Sequence, residues 1–158
     1  MASPKPSRPL RLLVLDFELA GDLGGSDLSA EHESRLRTAS ATLRSELERS
    51  RLFQIVDDAP VRDAIDQLRS QQRFLHECNG CDLDIGRRAG ADRVLLPWVY
   101  RVSGLILTLT YEIHDVDTAQ ITDRMSYDFR GDNDSAWTHA IVRLVRDLKE
   151  RGTASRPK

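Results

Sequence analysis

The sequence has little cysteine, no long hydrophobic run and no dominant sign of charge. Two cysteines among 158 residues exclude a small fold that is held together by several disulfides. No apolar run reaches the roughly 20 residues of a membrane-spanning helix, so we expect no membrane span. The 23 basic and 25 acidic residues leave a net charge of −2, which argues against a nucleic-acid partner because such proteins carry a basic surface.

Length and composition predict one globular domain. A chain of 158 residues can bury a hydrophobic core without help from a metal or many disulfides, and 40% hydrophobic with 30% charged residues is typical of such proteins. The start is rich in proline and the end is polar. We therefore predict a disordered lead-in over residues 1–9, a single α/β domain over residues 10–151 and a disordered tail over residues 152–158.

The sequence is compatible with two locations of the protein, the periplasm and the cytoplasm. The first residues lack the apolar stretch of a signal peptide, which fits either a cytoplasmic protein or the mature form of an exported one. The even number and close spacing of the cysteines favour export, because disulfides persist in oxidising compartments. The periplasm is therefore the predicted location.

The first half of the chain alternates strands and helices. Uninterrupted apolar residues over 12–15 predict a strand that is covered on both faces, followed by a glycine-rich loop without a phosphate-binding fingerprint. A long helix begins after an N-cap at Ser29, and a second strand and a second helix follow over residues 52–58 and 59–72. A strand, helix and strand in this order predict parallel pairing.

The second half predicts three antiparallel strands. The dipeptide at Ser103 and Gly104 is typical of a two-residue hairpin turn. From Leu105 to Ile113 apolar side chains alternate with polar ones, which indicates a strand with one face on the core. Pro97 predicts an edge position or a bulge, since proline cannot donate to a ladder.

Two further helices complete the predicted order, β-α-β-α-α-β-β-β-α. A short one begins at a cap at Asp82 and ends at Gly90, and the last runs from a cap at Asp134 or Ser135 to a stop at Gly152. The fold class is therefore α/β, with a single mixed sheet flanked by helices. The sheet is predicted to be parallel at the start and to end in an antiparallel meander.

Three segments, "LLVLDFEL", "LRSELERSRLFQIVDD" and "IGRRAGADRVLLPWVYRVSGLILTLTYEIHDVDTAQ", occur in an order that resembles the amino-terminal domain of TolB and the secretion protein CsgG. Three more, "CNGCDLDIGRRAGAD", "RVSGLIL" and "RGDNDSAW", resemble an uncharacterised family of small exported bacterial proteins. Both resemblances imply a TolB-like α/β layout and a location in the bacterial envelope. Neither implies a reaction.

Cys78 and Cys81 are the candidates for thiol chemistry. A structural disulfide is the favoured interpretation, because a helix and a loop precede the pair where a thioredoxin-type enzyme has a strand. A thiol-redox role stays open. So does a metal site formed with His76, although these three ligands are one fewer than zinc needs. No cofactor is predicted.

Asp16, Glu18 and Asp57 form a predicted ligand rim. They follow predicted parallel strands, and α/β folds bind ligands at the carboxyl ends of such strands. Carboxylates that only cap loops are the alternative, and the sequence favours that alternative.

The histidines and the acidic stretch after the last strand carry weaker signals. No histidine stands in a nucleophile–base spacing, and His32 is predicted to be solvated. Residues 132–134 resemble the start of a calcium loop, but Trp137 and Arg143 stand where such a loop needs Gly and Glu. Helix capping is the better interpretation of these acidic residues.

These features predict a non-enzymatic accessory or binding module of the periplasm that acts on a protein partner. Two alternatives stay open. One is a thiol-redox or metal-binding periplasmic protein that uses the cysteine pair. The other is a small-ligand-binding regulatory domain with its site at the predicted rim.

Overall fold

The computed structural model describes residues 9–25 and 28–154, which form one mixed sheet with helices on both faces. The strands are β1 (Arg11–Val14), β2 (Glu18–Gly21), β3 (Gln54–Ile55), β4 (Arg93–Arg101), β5 (Ile106–Asp115) and β6 (Ile121–Arg130). The helices are α1 (Ala30–Ser50), α2 (Arg62–Gln71), α3 (Cys81–Ala89) and α4 (Asp134–Ala154). Short 3₁₀ turns lie at Ala59–Val61 and Leu75–Glu77.

The sheet is parallel at its start and antiparallel at its end, which confirms the predicted fold class. The strand order is β3-β1-β4-β5-β6. β1 pairs in parallel with β3 and β4, and β2 pairs in parallel with β4. β4, β5 and β6 then form the antiparallel meander.

Each face of the sheet has its own hydrophobic core. α1 and α4 cover one face over buried side chains that include Leu12, Val14, Leu43, Leu47, Tyr111 and Ile141. α2 and α3 cover part of the other face over a smaller core that includes Leu13, Leu15, Ile65, Ile85 and Val94. Because β1 contributes alternate residues to both cores, its sequence is apolar without interruption.

α1 begins where its sequence predicts. The Ser29 hydroxyl accepts a hydrogen bond from the His32 N–H at 3.0 Å, as an N-cap does. The apolar stripe then buries Ala39, Leu43 and Leu47 against the sheet.

The predicted caps of the two later helices need correction. α3 has Gly80 at its N-cap with φ 92°, a conformation that favours glycine, and Asp82 lies inside the first turn. α4 is capped by Asn133, whose Oδ1 accepts from the Ala136 N–H at 2.8 Å, so neither Asp134 nor Ser135 is the cap. The predicted end of α3 at Gly90 is confirmed by its left-handed C-cap.

A close approach at Gly86 fixes how α3 packs on the sheet. A Cβ at this position would lie 2.6 Å from Val94 Cγ2 and 2.9 Å from Val116 Cγ2. Glycine thus lets the helix backbone contact the sheet directly.

Pro97 lies in the centre of the sheet, and the predicted edge position is wrong. The pairing of β4 with β5 runs without a shift from Arg93 to Arg101, so the predicted bulge is not there either. The Leu95 carbonyl accepts from Leu15 N–H and the Arg101 carbonyl from Asp22 N–H, so odd residues of β4 face the first strands. The nitrogen of Pro97 therefore faces the gap between β1 and β2, where no donor is needed. The predicted first strand is in fact these two strands.

The turn between β4 and β5 is longer than predicted. Four residues, 102–105, separate the strands, and the Ser103 hydroxyl accepts from the N–H groups of Leu105 and Ile106 at 3.2 Å each. Leu105 was predicted to be inward-facing but lies in this turn and is 67% exposed.

The ends of the chain are described only in part. α4 continues through Gly152 to Ala154, so the predicted stop at Gly152 is wrong. Residues 1–8 of the predicted lead-in and residues 155–158 of the predicted tail lie outside the described residues. Among the helices of the described residues, none has the length and apolar character needed to cross a membrane.

Candidate functional site

A cleft of about 490 Å³ opens beside the end of β1, between α1 and α2. The connection from β1 to β3 crosses one face of the sheet, and the connection from β3 to β4 crosses the other. Such a divergence leaves a crevice at the carboxyl ends of parallel strands, where α/β folds bind ligands. The lining consists of Asp16, Phe17, Glu33, Leu36, Arg37, Ser40, Ala41, Arg44, Arg62 and Arg69. We refer to it as the β1 cleft.

Asp16 lies at the centre of the β1 cleft and is held by arginines. Its carboxylate accepts from Arg44 Nη2 at 2.7 Å and from Arg62 Nη1 at 3.1 Å, and Arg69 Nη1 lies at 3.7 Å. Burial alone would raise the pKa of Asp16, but the hydrogen bonds and charges of Arg44 and Arg62 outweigh it and lower that pKa. The carboxylate is therefore a firmly ionised anchor for α1 and α2.

Glu18 and Asp57 do not join Asp16 in the cleft lining. Glu18 is buried and accepts from Leu75 N–H at 2.8 Å and from His76 Nδ1 at 2.7 Å, so it anchors the segment before the cysteines. Asp57 is exposed and accepts from Ala59 N–H at 3.0 Å within its own turn. Of the three predicted rim residues, the structure places only Asp16 in the cleft.

Sequence reasoning missed the arginines of the cleft. Arg62 and Arg69 stand seven positions apart on α2 and therefore share a helix face, a signal that was available. Asp58 could not be told apart from Asp57 by sequence, and it is Asp58 that pairs with Arg62 at 2.5 Å. Arg44 contacts Asp16 across 28 positions, for which no local pattern exists.

Cys78 and Cys81 are joined by a disulfide, and Cys81 is the first residue of α3. His76 stacks on Trp98 with ring centroids 4.1 Å apart, and its Nδ1 is engaged by Glu18. Within the described ranges, no group of three or more Cys, His, Asp or Glu side chains is placed to hold a metal ion. The disulfide closes the loop from which α3 starts.

Reduction of this disulfide is expected to have a modest effect on stability. Its cysteines are three positions apart, and closing so short a loop stabilises a fold by no more than about 2 kcal/mol. Urea unfolding with and without a reductant measures the difference. A double variant, Cys78→Ser with Cys81→Ser, serves as the control that should not respond to the reductant. A loss of most of the stability on reduction would contradict a local staple.

His114 lies between two carboxylates on the sheet face that α3 partly covers. Its Nδ1 is 2.8 Å from Asp82 Oδ2 and its Nε2 is 2.8 Å from Glu112 Oε1, while Arg124 pairs with the other oxygen of Glu112. The hydrogen bond to Asp82 is the main cause that raises the pKa of His114, Glu112 adds to it, and burial opposes both. Asp82 is therefore a buried carboxylate that favours the protonated form of His114 and joins α3 to β5.

The raised pKa of His114 predicts a pH dependence of stability. Its contribution is complete below the unfolded pKa of about 6.5 and is lost as the pH rises through the higher folded pKa. We expect the free energy of unfolding to fall with rising pH in this range, and we expect His114→Gln to remove that part of the fall. His139→Gln, at an exposed position of α4, is the matched control. An identical pH profile for wild type and His114→Gln would rule out this role.

Asp132 is a second buried carboxylate that joins distant elements. It accepts from His32 Nε2 at 2.7 Å, Arg35 Nη1 at 3.1 Å, Arg101 Nε at 2.8 Å and Trp137 Nε1 at 3.0 Å. His32 is 8% exposed, so the prediction that it is solvated is wrong. The acidic stretch that resembled a calcium loop thus holds α1, β4 and α4 together.

Four large apolar side chains are exposed around the β4–β5 turn. Tyr100, Val102, Leu105 and Ile106 are 46–67% exposed. The Val102 N–H donates to the Ile106 carbonyl at 2.9 Å, and Tyr100 pairs with Thr108, so the four positions are neighbours. We refer to them as the hairpin surface.

A protein-family model matches residues 10–148 of the chain. The chain belongs to the family described as "Protein of unknown function (DUF2380)". This membership confirms the predicted resemblance to an uncharacterised family. No curated protein matches the chain at a significant level.

Solved structures with the same fold are remote in sequence. The LpoB C-terminal domain from Salmonella enterica is 21% identical with a TM-score of 0.52, over 78% of this chain and 84% of that chain. Lipoprotein GNA1162 from Neisseria meningitidis is 14% identical with a TM-score of 0.54, over 94% of this chain and 100% of that chain. TolB from Acinetobacter baumannii is 11% identical with a TM-score of 0.52, over 93% of this chain and 29% of that chain. These likenesses show a TolB-like fold.

Proposed function

We propose that the protein is a non-enzymatic accessory module of the bacterial envelope that acts in the periplasm by binding a protein partner. The hairpin surface is the observation that carries this proposal. Soluble proteins rarely leave large apolar side chains grouped in the open, and such groups mark sites of protein contact. Aromatic and aliphatic anchors of this kind supply most of the energy in protein interfaces.

The hairpin surface is built on a rigid support. Its two strands are paired along their whole length, and Tyr100 and Ile106 lie on the sheet face that α2 and α3 leave uncovered at this end. Arg101 ties the turn to the body of the fold, with Nε bonded to Asp132 at 2.8 Å and Nη1 to the Asp22 carbonyl at 2.6 Å. A surface held in place in this way loses little conformational entropy when it binds.

Two features support a periplasmic location. The disulfide between Cys78 and Cys81 is a bond that oxidising compartments preserve. A lipoprotein, GNA1162, is among the proteins that share the fold. The acidic groups of the β1 cleft support a binding role over a catalytic one, because Asp16 is already neutralised by Arg44 and Arg62.

Site-specific photo-crosslinking tests the proposal. A photoreactive residue replaces Leu105 in the protein expressed from its full gene, and adducts are isolated from the native envelope fraction. We expect a discrete adduct with one protein. The same residue in place of Val142, which is 39% exposed on α4, is the matched control and should give none. Equal adducts from both positions, or none from Leu105, would overturn the proposal.

A second candidate function is favoured by the composition of the β1 cleft. Four arginines and two carboxylates line it, and two of the arginines, Arg62 and Arg69, also pair with Asp58 and Glu18 outside the lining. An anionic small molecule with a carboxylate or phosphate group suits guanidinium donors in a crevice of this position. Inorganic phosphate or citrate should then raise the melting temperature of the protein but not that of Arg37→Ala with Arg62→Ala. No shift with either anion would remove this candidate.

A further inference from the structure

We propose that two copies of this chain associate through their β6 strands, which pair antiparallel across a two-fold axis and join the two sheets into one. The exposed edge of β6, its pattern of charges and a groove beside it carry this inference. It is independent of the hairpin surface.

β6 is a long edge strand. It spans ten residues and, within the described part of the chain, pairs with β5 alone. Edge strands of this length present unpaired N–H and C=O groups that accept another strand, and proteins usually protect them with proline, a bulge, a short length or charged side chains. The segment from Asp123 to Arg130 has no proline and no bulge, since its register with β5 shifts only before it, at Ile113/His114. Its charged side chains are of both signs, so they can attract a second copy in one register and repel it in another.

The hydrogen bonds identify the residues that face outward. The Gly131 N–H donates to the Leu105 carbonyl, so Gly131 faces β5. Because successive residues of a strand face opposite sides, the backbone groups of Arg124, Ser126, Asp128 and Arg130 face away from β5. These four residues are also exposed.

A two-fold axis at Ser126 makes these residues self-complementary. Ser126 then lies opposite Ser126 of the partner subunit, and Arg124 lies opposite Asp128 of the partner subunit, twice by symmetry. Opposite charges in directly facing cross-strand positions stabilise pairing, whereas like charges destabilise it. Asp128 is bonded only to the Thr108 hydroxyl among the described contacts. Arg124 pairs with Glu112 through Nη1, but its side chain is still 54% exposed, and its other guanidinium nitrogens would serve Asp128 of the partner subunit.

Other registers are less favourable. An axis at Arg124 places this arginine opposite its own copy, and an axis at Asp128 does the same with two aspartates. An axis at Tyr127 places Arg124 opposite Arg130 of the partner subunit. An axis at Phe129 would also pair opposite charges, Asp128 with Arg130 of the partner subunit, but β6 ends at Arg130, so only residues 128–130 of each strand would pair. The axis at Ser126 pairs opposite charges on both sides and aligns residues 122–130 of each strand, so charge and length together select it.

A groove beside the edge suits the same register. It has a volume of about 270 Å³ and lies between Tyr127 and Phe129 of β6 and Ala140 and Arg143 of α4. With the axis at Ser126, Tyr127 faces Met125 of the partner subunit. Methionine is unbranched and fills irregular apolar gaps well. The groove thus offers room for a side chain that the pairing would bring to it.

Reversing the charge of Arg124 or of Asp128 tests the proposed contact between them. A change that only altered the general surface charge would not be rescued by mixing the two variants. Sedimentation equilibrium of the full chain should show a dimer whose dissociation constant rises with salt. Arg124→Asp and Asp128→Arg should each raise that constant about tenfold or more, because each makes two like-charge pairs. An equimolar mixture of the two variants should restore association, since one variant then supplies the acidic and the other the basic side chain at each pair.

Arg88→Asp, an exposed arginine of α3 with the same change of charge, is the control and should leave the dissociation constant unchanged. Circular dichroism checks that each variant is folded, and recovery in the mixture identifies the contact even if Arg124→Asp is less stable. A chain that sediments as a monomer at its highest soluble concentration would overturn the proposal. So would a dimer that both variants leave intact, or a mixture that stays monomeric.

Discussion

Replacing Trp137 by alanine is expected to lower the free energy of unfolding by about 3–5 kcal/mol. Trp137 is 1% exposed on α4 and lies between two aromatic rings, with centroids 6.2 Å from Phe17 and 6.3 Å from Phe129. Its removal leaves a cavity between the helix and the sheet that the close-packed neighbours cannot fill. It also removes one of the four donors to Asp132.

Urea unfolding followed by circular dichroism measures this loss without relying on tryptophan fluorescence. Val142→Ala is the matched control, because Val142 lies on the same helix at 39% exposure and should change stability by no more than about 0.5 kcal/mol. Trp137→Phe keeps an aromatic ring but removes the hydrogen bond to Asp132. It should lower the free energy of unfolding much less than Trp137→Ala does. A loss below about 1 kcal/mol for Trp137→Ala would mean that this core does not depend on the indole ring.

Replacing Asp132 by asparagine is expected to cost about 3 kcal/mol or more at neutral pH. The carboxylate side chain is 8% exposed, and its neighbours include two cations, Arg35 and Arg101, with side-chain exposures of 7% and 17%. Removing the negative charge takes from Arg101 the carboxylate that it contacts, while Arg35 keeps Glu31 and Asp134 as partners. One amide also cannot accept as the two carboxylate oxygens do. Asp128→Asn, at an exposed position nearby in sequence, should change stability little.

The effect of Asp132→Asn should depend on pH. Burial raises the pKa of Asp132, but hydrogen bonds from His32, Arg101 and Trp137 outweigh it, and the pKa lies below its ordinary value. A depressed carboxyl pKa gives stability that is present above the unfolded value of about 3.9 and is lost as the pH falls through the folded value. The difference in the free energy of unfolding between wild type and Asp132→Asn should therefore become smaller as the pH falls into the acid range. A difference that stays constant down to the acid unfolding transition would contradict this role.

Local signals in the sequence were sufficient to predict most of the fold. The Ser29 cap and the leucines at 43 and 47 determine α1, and the left-handed Gly90 ends α3, because each acts within one or two helical turns. The division of the first strand into β1 and β2 could not be predicted in the same way. Its counterpart is Pro97, about 80 positions away, and nothing in the apolar run itself marks the gap.

The same distinction between local signals and distant contacts applies to the candidate sites. Asp16 was predicted because it ends a parallel strand, and its location in the β1 cleft follows from topology. The contacts of His32 and Asp82 were not predictable, since Asp132 and His114 lie 100 and 32 positions away. Such charged contacts have no periodicity, so a buried histidine looks like a solvated one in the sequence.

The gap opposite Pro97 also has a consequence for how this cleft can change. Phe17 lies in this gap between β1 and β2, and its N–H donates to the Ser40 hydroxyl at 2.9 Å instead of to a strand. The Ser40 hydroxyl in turn donates to the Leu36 carbonyl at 2.8 Å. The position of the cleft is thus set by the backbone of β4 and by one serine of α1. Its charge is set separately, by side chains such as Arg37, Arg62 and Arg69 on helical surfaces. Substitutions on those surfaces can alter the chemistry of the lining while the opening keeps its place, which makes the domain a scaffold with an exchangeable lining.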